Sequence, residues 1–380
     1  MWKRWLVLGF PFALPSLLMA QRIGVINSMS GPEAPIGENI TNGIKLAEED
    51  LKKRGFSIQI IWEDDTGKPQ ISMSAMEKLA TRNQVIGVVG PYTSACANAV
   101  AKRAEQYKVP LLVPAAAKEE ITRQGLKYVF RMNAPADKYA SSLIDAALLL
   151  GKPKSIAFIY ENTDFGTSTT TTAKAYVSTK GIQVVADEPY PKNNADYRST
   201  LAKIKAKNPD LVFMVSYVAD AILIMRQAKE VGLQPQAFLG GGAGFTTADF
   251  AREPASASVF SCTQWTDDVN WPGAKDFGKR YKARFGKEPT YHAACAYESM
   301  MVMADAARNA AGNRDKLRDG LKAGKWNGIM GEVKFADFGG FTNQNDHQML
   351  VQQLQNAQYE TVFPKTFATK PSVYPFPKWK

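Results

Sequence analysis

The sequence has 380 residues, 45% of them apolar and 22% charged. These are the proportions of an ordinary soluble globular protein, at a length that favours two α/β domains over one core. A formal charge of +11 could attract phosphate, but the basic residues (Lys52, Lys53, Arg54; Lys203, Lys205, Lys207; Arg280, Lys282, Arg284) alternate with acids at helical spacing. They form no block of like charge, so nucleic-acid binding is not expected.

At the start, Lys3 and Arg4 precede an apolar run from Trp5 to Met19 that is broken by Pro11 and Pro15 and closes at Ala20. This is a secretory signal pattern, with cleavage expected after Ala20; the run is too short for a bilayer-crossing helix. No cysteine lies nearby, so no lipid anchor is expected. From Gln21 onward, short β-rich runs alternate with helical patterns, the signature of βαβ units and parallel sheets. Strands are predicted at Arg22–Asn27, Ser57–Trp62, Val85–Val89 and Leu111–Val113. Between the first two, Gly37–Arg54 carries Ile40, Ile44, Ala47 and Leu51 on one helical face, with Gly55 placed to end it. Another helix is predicted over Pro69–Arg82.

A second series follows a helix around Lys138–Leu150. Its strands are Ser155–Tyr160, Gln183–Ala186 and Leu211–Tyr217, and its helices lie near Gly166–Thr179 and Tyr197–Lys207. Two doubly wound units in succession predict two similar lobes and exclude a short-period solenoid. The tail, Pro364–Lys380, has four prolines and reads as an extended strap or a loose end.

Catalytic patterns are missing. His292 and His347 are the only histidines, far apart and without an HExxH pattern. No G-x-S-x-G elbow occurs, and the cluster Gly240, Gly241, Gly242, Gly244 lacks the Lys-Ser/Thr of a phosphate loop. Neither an enzymatic activity nor a metal or other cofactor is expected. Cys96, Cys262 and Cys295 form no CxxC pair and allow at most one disulfide; packing as small apolar groups is the expectation for all three.

In open α/β sheets a ligand sits beyond the carboxyl ends of the strands, where a loop enters a helix. Gly90-Pro91-Tyr92-Thr93-Ser94-Ala95 has that character: it follows an apolar strand and leads into a helix running through Ala104. A carboxylate there would meet free backbone N–H groups, the positive end of a helix dipole and the Ser94 or Thr93 hydroxyl. The alternative is that Ser94 only caps its own helix. After the next strand, small residues from Ala115 to Ala117 leave room for a ligand or for close packing.

Together these segments resemble the periplasmic receptors of the leucine/isoleucine/valine-binding type. Met29-Ser30-Gly31-Pro32 leading to Gly37, Gly43 and Ala47 is similar to that family's opening loop and first helix. The likeness continues through Gly90–Ser94, Val109-Pro110, Val129-Phe130-Arg131, Asp164-Phe165-Gly166 and Gly331-Glu332-Val333-Lys334-Phe335, and it covers nearly the whole chain after Ala20. It implies two Rossmann-like lobes of the type I periplasmic binding fold, joined by three crossovers near Asn133–Asp137, Thr263–Asp268 and Phe335–Phe341. The lobes would be residues 21–135 with 267–338, and 136–266 with 339–363, followed by the tail 364–380.

Carried over, Ser94 matches the hydroxyl that holds a ligand carboxylate, in one loop with Tyr92 and Thr93. Ala115 matches a position offering backbone polar groups, and Phe165 and Tyr217 match aromatic positions of the second lobe; for Phe165 a place in the core is the alternative. Departures matter as much. Where amino-acid binders carry a Thr for the ligand ammonium this chain has Ala117, and where they carry its counter-charge, Gly242. Ile36 shifts the pocket in the same apolar direction.

An enclosed ammonium without a partner costs several kcal/mol, enough to erase a micromolar affinity. A carboxylate without an α-amine, aromatic or short aliphatic, is therefore expected, with a branched-chain or other amino acid or amide as the alternative. Asp220, Glu161 and Asp164 are candidate substitute counter-charges, read as surface carboxylates. The resemblance further implies a periplasmic monomer that hands its solute to an ABC permease; a sensor feeding a signalling partner is the other reading.

Overall fold

The computed structural model describes residues 21–379. The expected signal segment, residues 1–20, lies outside the described residues. The chain first runs through β1 (Gln21–Asn27), α1 (Ala34–Lys53), β2 (Ile58–Asp64), α2 (Pro69–Thr81), β3 (Gly87–Val89), α3 (Ser94–Tyr107), β4 (Leu111–Val113), the short α4 (Glu120–Arg123) and β5 (Val129–Arg131). Then come α5 (Ala136–Leu150), β6 (Ser155–Glu161), α6 (Asp164–Thr179), β7 (Gln183–Tyr190), α7 (Arg198–Ala206), β8 (Leu211–Val215), α8 (Val218–Val231), β9 (Ala237–Gly240), the short α9 (Ala248–Ala251) and β10 (Phe260–Thr263). Helices α10 (Ala274–Phe285), α11 (Tyr291–Arg308) and α12 (Arg314–Ala323) precede β11 (Trp326–Gly328), β12 (Gly331–Val333), β13 (Phe335–Phe338), β14 (Phe341–Asn345), β15 (Leu350–Gln355) and β16 (Gln358–Phe363).

Two seven-stranded sheets result, ordered β2-β1-β3-β4-β5-β14-β13 and β7-β6-β8-β9-β10-β15-β16. The first five strands of each pair in parallel, and the late strands close one edge of each sheet. Central strands such as β8 and β4 are buried along their length, as strands covered by helices on both faces must be. In α1, the stripe Ile36, Ile40, Ile44, Ala47 and Leu51 is buried and the helix lies along α11. The architecture is the two-lobed α/β fold expected from the alternating pattern.

Besides shifts of one to three residues at several element ends, three boundaries differ from expectation. Strand β14 pairs with β5 through Gln344 and Arg131, so it belongs to the first sheet, and the third crossover falls at residues 346–349 instead of Phe335–Phe341. Tyr217 does not end a strand: β8 stops at Val215, and Tyr217 is the N-cap of α8. Strand β7 continues to Tyr190, because its pairing with the edge of β6 persists through polar residues that carry no apolar alternation. The tail is a strap on the second lobe. Phe376 is buried against Phe238 at 4.9 Å, Val373 N donates to Gln353 Oε1 at 2.7 Å, and Trp379 Nε1 donates to Leu233 O at 2.8 Å.

Candidate ligand-binding cleft

The loop after β3 turns at Gly90, whose φ of +125° suits glycine; a Cβ there would sit 2.0 Å from Ile26 O. Thr93 is the N-cap of α3, its hydroxyl accepting from Cys96 N at 3.3 Å. Thr93 therefore takes the capping role considered for Ser94, and Ser94 is freed for another. Its Oγ accepts from the backbone N–H groups of Ala117 and Lys118, each at 3.2 Å. A serine hydroxyl has two lone pairs and one proton. Both lone pairs are committed, so the proton is left to donate into the cleft.

Around this hydroxyl stands a closed ring of aromatic side chains from both lobes. Tyr92 meets Tyr217 at 5.9 Å between centroids, Tyr217 meets Phe165 at 5.7 Å, and Phe165 meets Tyr139 at 6.5 Å. The Tyr139 and Tyr291 hydroxyls lie 3.3 Å apart, Tyr291 stacks on His292 at 3.9 Å, and His292 returns to Tyr92 at 5.5 Å. Edge-on and tilted contacts of this kind are the favoured geometries of aromatic pairs. Five of these rings, Tyr92, Phe165, Tyr217, Tyr291 and His292, line a space of about 10 Å³, the least that holds one water, with Tyr139 behind them. Ser94, Ala115, Ala116 and Ala243 complete the wall, and none of the lining residues is a carboxylate. In this closed form, a solute enters only if the lobes part or the rings turn.

Burial lowers His292 to about 3, so it is neutral, and its Nδ1 lies 3.2 Å from Thr290 Oγ1. The Tyr92 hydroxyl is buried and has no hydrogen-bond partner among the described residues. A buried hydroxyl in that state is a donor and acceptor held ready.

Behind Tyr217 lies a second, charged layer. Glu161 is fully buried, not a surface carboxylate as expected: it accepts from Thr163 Oγ1 at 2.7 Å and from Tyr217 N at 3.3 Å. Burial raises its carboxyl to about 8, against the lowering by these bonds and by Lys192. Asp220, too, is buried, raised by desolvation, and accepts from Asn193 N at 3.0 Å. The surface reading failed for both because each is held by groups of its own lobe that are distant in sequence, Glu161 by Tyr217 N and Asp220 by Asn193 N. Lys192 of the second lobe pairs with buried Glu33 of the first, and its Nζ lies 4.6 Å over the Tyr217 ring. Asp164 is half-exposed and pairs with Lys118 across the cleft at 2.9 Å.

Of the residues singled out in the sequence, Tyr92, Ser94, Ala115, Phe165 and Tyr217 come together in the cavity wall. Thr93 caps α3, Ala117 contributes its N–H to Ser94, and Ile36 is buried in the apolar face of α1 without lining the cavity. Gly242 stands directly behind the wall with φ +76° and ψ −149°, a region open to glycine alone, and a Cβ there would lie 2.5 Å from Tyr139 Cε1. No acidic side chain fits at 242 while Tyr139 keeps its place. Sequence reasoning missed Tyr139, Tyr291, His292, Lys192 and Glu33. Tyr291 and His292 open α11, and the Thr290 that precedes them as N-cap was the one local signal.

Two lobes closing on a small, largely aromatic cavity between the carboxyl ends of their sheets define a solute-binding protein. The chain belongs to the periplasmic binding protein family, whose model matches residues 20–359. Among curated relatives, "Leu/Ile/Val-binding protein homolog 8" of Brucella suis biovar 1 (strain 1330) is 29% identical over 94% of this chain and 93% of its own length. Similar in fold are a leucine-binding protein from Thermotoga maritima (TM-score 0.83, 23% identity, 90% of this chain and 98% of that one) and an ABC transporter solute-binding protein from R. palustris in complex with benzoate (TM-score 0.82, 19% identity, 93% and 97%). A further R. palustris solute-binding protein is in complex with 4-hydroxybenzoate (TM-score 0.79, 20% identity, 95% and 98%). The family is one of receptors for small solutes that work with ABC transporters, not of enzymes. Among the described residues no helix is long and apolar enough to cross a membrane.

Proposed function

We propose that the protein is the extracytoplasmic receptor of an ABC importer for a small carboxylate that lacks an α-amine, an aromatic acid foremost. The observation that carries this is the composition of the cavity wall: a Ser94 hydroxyl with only its proton to offer, five aromatic rings among small alanines, and no carboxylate. An anion finds a directional donor, a ring finds faces to stack on, and an ammonium finds no counter-charge. The benzoate and 4-hydroxybenzoate complexes of fold neighbours are consistent with this reading. The signal pattern ending at Ala20 supports a periplasmic location, and closure around solute supplies the shape that a permease reads.

A branched-chain amino acid is the second reading. It is favoured by the relatives' names and by Glu161 and Asp220, which would have to reach past Tyr217 and give up Lys192 to hold an ammonium. Calorimetric titration separates the two. Binding of one benzoate or 4-hydroxybenzoate per chain, with no heat from leucine, is expected; tight leucine binding with none of either acid overturns the proposal.

A further inference from the structure

We propose that Gln264 is a positioning residue that holds the lobes in the closed form by tying all three crossovers to the wall of the solute cavity. The inference takes that cavity to be the solute site. Each crossover or its flank contributes one amide with no exposed surface: Asn133 from the first, Gln264 from the second, and Gln344 next to the third. Gln264 uses everything it has. Its Nε2 donates to Asn133 Oδ1 and, at 2.8 Å, to the Tyr139 hydroxyl, while its Oε1 accepts from Ala134 N at 2.7 Å. Its backbone carbonyl lies 2.6 Å from His347 Nε2 on the third crossover.

The proton order then follows. Tyr139 donates to Asn133 Oδ1 at 3.0 Å and accepts from Gln264, which leaves one lone pair for the Tyr291 hydroxyl at 3.3 Å. The Tyr291 oxygen in turn accepts from Ala243 N at 3.4 Å. Tyr291, on the first lobe, thus presents only its ring to the cavity, because its hydroxyl is bonded to two groups of the second lobe.

At the other end the network reaches the anion site. Gln344 Nε2 donates to Asn133 O at 2.8 Å, and its Oε1 accepts from Arg131 Nε at 2.6 Å. Arg131, fully buried, donates to Lys118 O at 2.6 Å, and the Lys118 N–H rests on Ser94. Ser94 and the Tyr139–Tyr291 pair are therefore two ends of one buried network. Rotation about the crossovers separates Tyr291 from Tyr139 and Ala243, which sit on opposite lobes. Buried polar groups are costly to leave unpaired, so the network is complete in the closed form and favours it before solute arrives.

The test measures interlobe distance without any solute, so a wrong assignment of the solute leaves it readable. Paired labels on Lys52→Cys and Lys207→Cys, both exposed and on opposite lobes, report opening; the native cysteines are buried. The parent should show a closed population. In Gln264→Met and in Tyr139→Phe, which removes only a hydroxyl, the closed-to-open ratio should fall about fivefold, the worth of one hydrogen bond. Gln353→Met is the control: Gln353 is equally buried but ties β15 to Ser258 and to the tail. It should lower thermal stability without moving the distances. Should Gln264→Met not fold, Tyr139→Phe decides. A parent that is wholly open, variants whose distances match the parent's, or a Gln353→Met shift of equal size would each overturn the proposal.

Discussion

The two walls of the cleft recognise by different means. The first lobe offers a directional donor, Ser94, fixed by two backbone N–H groups and set at the start of α3. The second offers area alone: Phe165 and Tyr217 add their rings to those of Tyr92, Tyr291 and His292 from the first, and Gly242 lies behind Tyr139 where no side chain fits. Under the proposed function, one end of a solute would be fixed by geometry and the other by apolar contact, which predicts strictness about the anion and tolerance of ring substituents. The charged layer behind Tyr217 lines neither end; within it, Lys192 pairs with Glu33 of the other lobe.

The largest effect should come from that hidden layer. With its folded carboxyl raised to about 8 from 4.5, Glu161 keeps a proton between those pH values that the unfolded chain has lost. Stability should fall as pH rises through that window, by roughly 5 kcal/mol when titration is complete. Glu161→Gln should flatten this slope in denaturant melts at pH 5, 7 and 9 and make the variant the more stable protein at pH 9. An unchanged slope breaks the assignment. Next in size, Gly242→Ala forces both strain and a collision with Tyr139. A loss of about 1–3 kcal/mol of stability is expected from the backbone alone, with weakened benzoate binding by calorimetry.

Ser94→Ala sharpens the contrast between the walls. A lost hydrogen bond to a charged group should cost about 1.5–3 kcal/mol, roughly ten- to a hundredfold in affinity for benzoate. Neutral benzamide should lose far less, and equal losses for both would remove Ser94 as the anion donor. Smallest is Lys118→Met, which breaks the half-exposed pair with Asp164 across the cleft. Less than about 1 kcal/mol is expected, and closure should lose part of its salt dependence.

Much of the fold was legible because parallel strands and their helices leave period signals: the α1 stripe Ile40, Ile44, Ala47, Leu51 and the run Leu211–Val215 read directly. The place of Ser94 in the cavity wall was legible for a similar reason, since a strand, a small-residue loop and a helix follow one another there. Tyr139 and Tyr291 were not. Each sits in the first turn of a helix and looks like core; only the folded chain shows that the Tyr291 ring lines the cavity and that Tyr139 stands behind it, edge-on to Phe165 with its hydroxyl 3.3 Å from that of Tyr291. Glu161 and Asp220 read as surface groups because burial by sequence-distant segments, around Tyr217 and Asn193, leaves no trace in local pattern. The third crossover was misplaced because β13 and β14 form a hairpin whose turn, Gly339-Gly340, resembles a linker.

The most direct trial is a crystal structure grown with benzoate. The account predicts closed lobes, a carboxylate oxygen within hydrogen-bonding distance of Ser94 Oγ, and the ring lodged among Tyr92, Phe165 and Tyr217. Benzoate bound elsewhere, or at this site with its carboxylate turned away from Ser94, would contradict it.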